Sequence, residues 1–351
     1  MWHLDPPSKA DLDRYCELLR PKIKKHLSDL SSTMPEWCGV LNNDNLLDDI
    51  LTAKPERLFK LNTEILNKLL TAKQCEPNTG HAPFGFTYSE RQLRHYLKRY
   101  RKKIANLTVK DQLRVNRYKD LFSFLDKVFN YADLNSAIAY EVAKLKGRNT
   151  CTYCNRQYTF TVDQEDTNGV TKSKTRPQFD HWFAHSHYPL LSLSFYNLIP
   201  SCSVCNSAAK GITHYSLKTH IHPYTTETPD PDLEFRPELK TDEKDGKVRW
   251  SVKLVVKAGS KEERMIKDLM LEELYACHGP LELKDIMDFR MKNNPTYLKT
   301  LFKKICRKYE KERSINDVYR MMFGVERDPS KILDRPLSKF KRDILRREGI
   351  E

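Results

Sequence analysis

Two pairs of cysteines in this sequence have the spacing of a zinc site. Cys151 and Cys154 form one Cys-x-x-Cys pair, and Cys202 and Cys205 form a second. Thiolates two residues apart can bind one tetrahedral Zn²⁺, and two such pairs complete a shell of four ligands. A redox role is the alternative for either pair, but two pairs in one chain favour metal. We expect a structural zinc, because four thiolates leave no position for a reacting water.

Asp180 and His181 lie side by side between the two cysteine pairs. Hydrolysis of a phosphodiester needs an activated water and a group that stabilises negative charge on the phosphate. An imidazole, with an ordinary pKa of about 6.5, is suited to take the proton from water. A carboxylate oxygen suits Mg²⁺ or Mn²⁺, and the amide oxygen of Asn206, directly after the second cysteine pair, can complete the protein's share of that shell.

The order and spacing of these residues resemble the zinc-bearing branch of the HNH endonucleases. The shared pattern, Cys-x-x-Cys, Asp-His, Asn-Leu-Ile-Pro-x-Cys-x-x-Cys-Asn and a lysine, spans about residues 149–212. The resemblance implies a β-hairpin and a helix around a metal, the ββα-metal motif. It also implies that Asp180 and Asn206 hold the catalytic ion and that His181 is the general base. By the same resemblance, Asn197 braces the loop and orients the histidine through backbone hydrogen bonds.

Three residues near this pattern have more than one interpretation. Lys210 follows Asn206 by one helical turn, and it either contacts the scissile phosphate or is simply solvated. His185 and His187 lie in the loop after Asp180-His181. A metal ligand is the alternative for either residue, but we interpret both as ordinary loop histidines.

The positive charge of the chain is concentrated in one stretch. The formal net charge is +14, and residues 91–119 contain 11 Lys or Arg against one Asp. A local field of this size suits a polyanion such as nucleic acid, and a solvated helix face is the alternative. The residues predicted to contact nucleic acid, all on one basic helix face, are Arg91, Arg94, Lys98, Arg101 and Lys102.

Hydrophobic periodicity predicts an α+β chain that is mainly helical, and the resemblance implies an inserted ββα-metal module, with a small β-hairpin predicted after it. The predicted segments are a helical region over 1–148, a nuclease module over 149–222 and a hairpin-plus-helix region over 223–351. The predicted helices are 11–30, with a kink or break at Pro21, then 62–70 and one helix from 112 to about 146 that ends at Gly147. The predicted strands are 157–162 and 178–183, joined by a loose turn over 163–176, and a hairpin of 233–235 with 248–256.

These features favour a metal-dependent HNH endonuclease that hydrolyses DNA. RNA is the alternative substrate, as in a toxin, because the site acts on a phosphate and contributes little discrimination between bases. A non-catalytic zinc module that binds nucleic acid or protein is the alternative from another class. The chain also resembles bacterial anti-phage defence effectors, which implies a regulatory ATPase or sensor as partner. With no long apolar run and no signal-peptide pattern, we expect no membrane span and a cytoplasmic location.

Overall fold

The structure is a computed structural model, and it describes residues 2–72, 109–134, 136–165, 171–211, 213–225, 230–294, 296–297, 300–301, 303–304 and 315–349. These residues combine helices with three two-stranded sheets, which confirms the mixed α+β class. The helices are α1 (Lys9–Leu30), α2 (Pro35–Leu41), α3 (Asp44–Thr52), α4 (Pro55–Ala72), α5 (Val109–Val128), α6 (Ser136–Lys146), α7 (Lys261–Asp268), α8 (Leu271–Ala276), α9 (Lys284–Lys292), α10 (Ile315–Phe323) and α11 (Ser338–Arg347). The strands are β1 (Val162–Glu165), β2 (Thr171–Thr175), β3 (Gln178–His181), β4 (Leu198–Ser201), β5 (Leu233–Thr241) and β6 (Val248–Val256).

Contacts group the chain into two units that interleave along the sequence. Unit 1 comprises Met1–Asp5, Lys146–Phe179 and Pro200–Glu351, and unit 2 comprises Pro6–Leu145 and Asp180–Ile199. The boundary therefore falls within β3 and within β4, which pair with each other. The division into 1–148, 149–222 and 223–351 is not tested by this grouping and stays a prediction.

The helices of unit 2 follow from their apolar spacing and their end residues. α1 begins after Ser8, whose hydroxyl accepts from the Asp11 N–H while the Asp11 carboxylate accepts from the Ser8 N–H. Such a reciprocal cap satisfies backbone donors that the first helical turn leaves unpaired. The helix continues through Pro21, so the proline does not break it. Its inward face consists of Tyr15, Cys16, Leu19, Ile23 and Leu27.

Two further helix predictions have different outcomes. The helix predicted over 62–70 is confirmed within the longer α4. The single helix predicted from 112 to about 146 is wrong, because α5 ends at Val128 and α6 begins at Ser136. Between them the Asn130 side chain accepts from the Ala132 N–H, a local bond that competes with the helical pattern. Gly147 ends α6 as predicted, with φ of 54°.

The strand predictions before Asp180 are wrong in their bounds and in their pairing. Residues 157–161 form no strand and have one bridge, from Thr150 to Tyr158, and the predicted turn over 163–176 instead contains the antiparallel pair β1 and β2. The predicted strand over 178–183 is shortened to β3, and its partner is β4. Aromatic and β-branched residues indicate extended backbone, but they do not specify which segment supplies the other strand.

The rest of unit 1 is built on the β5–β6 hairpin, which is confirmed and longer in its first strand than predicted. At Gly279 the chain passes so close to this hairpin that a Cβ would lie 2.1 Å from the Trp250 carbonyl oxygen. Only glycine fits such an approach without a backbone shift. The C-terminal α11 is tied to the other strand, where the Phe235 N–H donates to the Asp343 carboxylate at 3.1 Å.

Candidate functional site

The four cysteines of the two pairs come together in unit 1. Their Sγ atoms all lie within 4.8 Å of one another, and all four residues are buried. The Cys154 and Cys202 sulfurs are 4.0 Å apart. A tetrahedral zinc with Zn–S bonds of about 2.3 Å separates its sulfurs by about 3.8 Å, so this spacing suits one ion. The four cysteines could therefore hold a zinc ion as predicted, and no other such cluster is found among the residues that the structure describes.

Local backbone geometry turns each pair toward a common centre. The Arg156 N–H points at Cys154 Sγ at 3.4 Å, and the Cys205 N–H points at Cys202 Sγ at 3.5 Å. Backbone donors of this kind stabilise negative charge on sulfur. Asn155 has φ of 50°, which lets the chain reverse directly after Cys154. Left-handed backbone is tolerated better by Asn than by most residues with a Cβ.

The electrostatics of the cluster favour a cation at its centre. Burial raises the pKa of the Cys151 thiol well above its usual range. Hydrogen bonds from Cys151 and its neighbours lower the pKa of Cys202, and the same mutual contacts raise the pKa of Cys205. Burial makes an isolated thiolate costly, whereas a bound divalent cation permits all four cysteines to be thiolates.

Asn155 also joins the first cysteine pair to the C-terminal part of unit 1. Its buried Nδ2 donates to Thr150 Oγ1 at 3.1 Å and to the carbonyls of Ile332 and Arg335 at 3.0 Å each. Its Oδ1 accepts from the Ser338 N–H at 3.2 Å, at the start of α11. No pattern in the sequence indicates a role for this residue.

Asp180 and His181 end strand β3 and belong to unit 2. Asp180 is 4% exposed, and His181 is partly exposed. Neighbouring residues of a strand point to opposite sides, so the carboxylate and the imidazole occupy different environments. Directly after them, the Trp182 N–H donates to the Asn197 carbonyl at 2.9 Å, which continues the pairing of the two chain segments.

The imidazole of His181 is oriented by a backbone carbonyl. Nε2 lies 2.9 Å from the carbonyl oxygen of Ser192. A carbonyl can only accept, so in the neutral ring the proton resides on Nε2 and the basic lone pair is on Nδ1. The arrangement therefore selects one tautomer, and Nδ1 is the nitrogen that can accept a proton.

Asn197 holds the loop that carries this carbonyl. Its Oδ1 accepts from the Phe183 N–H at 2.6 Å, and its Nδ2 donates to the carbonyls of Leu191 at 2.9 Å and Phe183 at 3.2 Å. The residue is fully buried. These bonds tie the two ends of the loop together immediately beside Ser192. Asn197 thus makes backbone contacts of the kind expected, while its part in catalysis stays a prediction.

Two helices of unit 2 fix the same loop from the other side. The Tyr15 hydroxyl of α1 donates to the Leu193 carbonyl at 2.7 Å. The Ser194 hydroxyl donates to the carbonyl of Ile50, in α3, at 2.6 Å. Ser192 therefore lies between anchored residues, which fix the direction of its carbonyl. These supports connect residues more than 140 positions apart, and sequence reasoning missed them for that reason.

Two side chains near His181, Tyr131 and Asp126, were also missed, and His185 lies beside the same imidazole. The Tyr131 ring meets the His181 ring edge to face, with centroids 4.7 Å apart. The His185 ring lies 5.4 Å from the same imidazole, and its Nε2 is 3.2 Å from an Asp126 carboxylate oxygen. His185 therefore contacts residues outside its own loop. The contact of His187 with Ser186 is local, with the Ser186 hydroxyl 3.1 Å from Nδ1. Asp126 and Tyr131 carry no local sequence signal of this proximity.

Asn206 and Lys210 belong to unit 1, on the π-helix Val204–Lys210 that contains Cys205. The helix begins at Val204, two residues before Asn206. Asn206 Nδ2 donates to Gln178 Oε1 at 3.0 Å, which leaves the Oδ1 atom as the acceptor of that amide. Lys210 is 3% exposed, and its ammonium lies 4.9 Å from the centre of the Tyr215 ring. Its predicted contact with a phosphate stays a prediction.

The basic residues Arg91, Arg94, Lys98, Arg101 and Lys102 lie outside the described residues. In the part of the chain that is described, no helix is both long enough and apolar enough to cross a membrane. Comparison with known proteins gives no further assignment, because no family model, no curated protein and no solved structure matches the chain.

Proposed function

We propose that this chain is a metal-dependent HNH endonuclease that hydrolyses phosphodiester bonds in DNA, with His181 as the general base. The observation that carries the proposal is the hydrogen bond from His181 Nε2 to the Ser192 carbonyl. It presents Nδ1 as the proton acceptor on a ring that is partly exposed. A general base needs a basic atom that points in a fixed direction. The Ser192 carbonyl supports the direction of the ring, and Nδ1 is the basic atom.

The proposal assigns the divalent cation to Asp180 and Asn206. A carboxylate oxygen and an amide oxygen are donors that Mg²⁺ and Mn²⁺ accept. The Asn206 amide fits this role because its NH₂ group is used by Gln178 and its oxygen is the remaining donor atom. An ion bound there supplies stabilisation of negative charge on the phosphate and the leaving oxygen. The zinc of the four cysteines has a different task, since a filled thiolate shell holds the fold and binds no water.

Within this proposal, the protein's own groups divide the work. His181 Nδ1 takes the proton of the attacking water, and the Ser192 carbonyl keeps the ring in place while it does so. Asn197 maintains the loop, and its role is positioning. A regulatory ATPase or sensor as partner and a cytoplasmic location are part of the same proposal, since a nuclease with little base discrimination needs restraint inside its host.

Nicking of supercoiled plasmid in the presence of Mg²⁺ or Mn²⁺ tests the proposal. His181→Ala should reduce the nicking rate by about 100-fold to 10,000-fold, the usual contribution of a general base. Its zinc content, measured by elemental analysis, should equal that of the parent, because the cysteines lie in the other unit. The matched control is His187→Ala, which removes a histidine from the same loop and should nick at nearly the parental rate.

Equal nicking by His181→Ala and the parent would rule out the assignment of the base. A parent that binds zinc but cuts neither DNA nor a matched RNA with either metal would favour the non-catalytic zinc module instead. Cleavage of RNA alone would retain the site and change the substrate.

A further inference from the structure

A second histidine lies beside the proposed base in unit 2. The rings of His181 and His185 have centroids 5.4 Å apart, and their planes differ by 33°. His185 Nε2 is 3.2 Å from a carboxylate oxygen of Asp126, on the last turn of α5, so the two form an ion pair whenever this imidazole is protonated. The side chains of His185 and Asp126 are 41% and 49% exposed, so solvent and a substrate can reach both.

Ordered backbone places both members of this ion pair. His185 lies in a turn in which the N–H groups of His187 and Tyr188 donate to the Ala184 carbonyl at 2.9 Å and 3.0 Å. Asp126 is carried by α5, a helix whose apolar face is buried. Groups that are already fixed when the substrate binds can act on it without a further loss of entropy, and catalysis depends on such fixed geometry.

The two imidazoles have different partners, which suits them to opposite proton transfers. The Ser192 carbonyl accepts from Nε2 of His181 and leaves Nδ1 to accept a proton. The Asp126 carboxylate faces Nε2 of His185, where it pairs with the protonated ring and leaves the Nδ1–H group as a donor. One ring is thus arranged as a base and the other as an acid.

Hydrolysis of a phosphodiester needs both transfers. The attacking water gives up a proton as its oxygen bonds to phosphorus, and the leaving oxygen gains a proton as its own bond to phosphorus breaks. The two oxygens lie in line on either side of phosphorus, and two groups about 4 Å apart can serve both of them in one displacement. The 5.4 Å between the centres of the two rings is of this order.

From this geometry we infer that His185 is the general acid of the proposed reaction and protonates the leaving oxygen from Nδ1. The inference rests on the proposed function, in which His181 takes the proton of the water. Asp126 acts through His185 and is a positioning residue. After cleavage His181 carries one additional proton and His185 has lost one. Release of the first proton to solvent and uptake of another by His185 restore both rings for the next turnover.

Two substrates with different leaving groups test this assignment. Supercoiled plasmid has an alkoxide leaving group, which needs a proton, whereas thymidine 5′-(4-nitrophenyl phosphate) releases 4-nitrophenolate, which needs none. The variants are His185→Ala, Asp126→Asn and His181→Ala, all assayed with Mg²⁺. The matched control is His187→Ala, which removes a histidine from the same turn. Zinc content and circular dichroism check that each variant is folded.

His185→Ala should nick plasmid about 100-fold to 10,000-fold more slowly than the parent and cleave the nitrophenyl ester at nearly the parental rate. Asp126→Asn should lose about 10-fold on plasmid alone, because it acts through the imidazole. His181→Ala should lose activity on both substrates, since each requires an activated water. Added imidazole should restore part of the plasmid nicking by His185→Ala and should leave His187→Ala unchanged.

Parental nicking of plasmid by His185→Ala would overturn the inference. An equal loss on the two substrates would also overturn it, and a raised Mg²⁺ requirement in that variant would assign His185 to the metal shell instead. If the parent spares the ester, plasmid nicking with imidazole decides, and absence of rescue overturns the inference. A parent that cuts no nucleic acid would instead refute the proposed function, and the inference with it.

Discussion

Replacing Asn197 with alanine tests how the structure positions the proposed base. Asn197 is fully buried and makes three hydrogen bonds, one accepted from the Phe183 N–H and two donated to the carbonyls of Phe183 and Leu191. Each such bond contributes about 0.5 to 1.5 kcal/mol, which gives about 3 kcal/mol for the three. The buried Phe183 N–H left without an acceptor costs about 1 to 3 kcal/mol if water cannot reach it. We therefore expect a loss of about 3 to 5 kcal/mol, against a total stability of about 5 to 15 kcal/mol for a typical domain.

The same substitution should reduce nicking by more than the loss of folded protein explains. Leu191 directly precedes Ser192, whose carbonyl orients His181, so the loop and the imidazole lose their common support. A displacement of about 1 Å at a reacting group can cost about 100-fold in rate. We expect at least about a 10-fold loss of nicking per folded molecule, with zinc content unchanged, because the cysteines belong to unit 1.

Hydrogen exchange resolved by peptide is the suitable assay, because it reports on residues 182–192 separately from unit 1. The Phe183 amide should exchange faster in Asn197→Ala by a factor that corresponds to the lost free energy. Ser201→Ala is the control, since it removes one 3.4 Å hydrogen bond from β4, the strand that begins directly after Asn197, and should change little. Stability within about 0.5 kcal/mol of the parent would refute the hydrogen-bond reasoning. A destabilised variant that nicks at the parental rate when folded would refute the positioning role.

Two other predictions concern unit 1 and the buried thiols. Asn155→Gly should be less destabilised than Asn155→Ala by about 1 kcal/mol in urea unfolding, because φ of 50° is strained for alanine, and the opposite order would contradict this. Burial, followed by the nearby Asp48, raises the pKa of Cys16 to about 12, so iodoacetamide at about pH 8 should modify exposed Cys277 and spare Cys16 in peptide mass mapping. Because folding favours the protonated Cys16 thiol, its contribution to stability is complete below the unfolded pKa of about 8.5 and is lost as pH rises toward 12. Modification of Cys16 and Cys277 at the same rate at about pH 8 would contradict this prediction.

Local chemistry allowed part of the site to be predicted from the sequence. Two Cys-x-x-Cys pairs in one chain favour a metal ligand set, and the structure brings both pairs into one buried cluster. The β5–β6 hairpin and the end of α6 at Gly147 were predictable for the same reason, because each depends on residues close together in the chain. The mixed α+β class followed from these local patterns.

The features that failed depend on distant partners. The sequence QYTFTV at 157–162 has the composition of a core strand, yet Tyr158 and Phe160 are exposed and the pairing strands lie elsewhere. Residue composition predicts an extended backbone, whereas the rest of the fold determines which face is buried and which strand it pairs with. The break between α5 and α6 failed for a different and local reason, since the Asn130 side chain accepts from the Ala132 N–H and competes with the helical pattern around it.

The orientation of His181 depends on residues that are distant in the sequence, so no local pattern predicts it. It also explains why the uncharged Ser192 carbonyl is a sufficient hydrogen-bond acceptor in the proposed reaction. The Ser192 carbonyl accepts from Nε2 both before and after Nδ1 gains a proton, so the ring keeps its direction throughout. A freely placed carbonyl would not ensure this, but Tyr15 holds the adjacent Leu193, Ser194 is bonded to Ile50, and Asn197 holds Leu191. The helical residues of unit 2 thereby act on the proposed chemistry through hydrogen bonds to backbone carbonyls. In the proposed function the four cysteines of unit 1, which could hold a zinc ion, have a structural task.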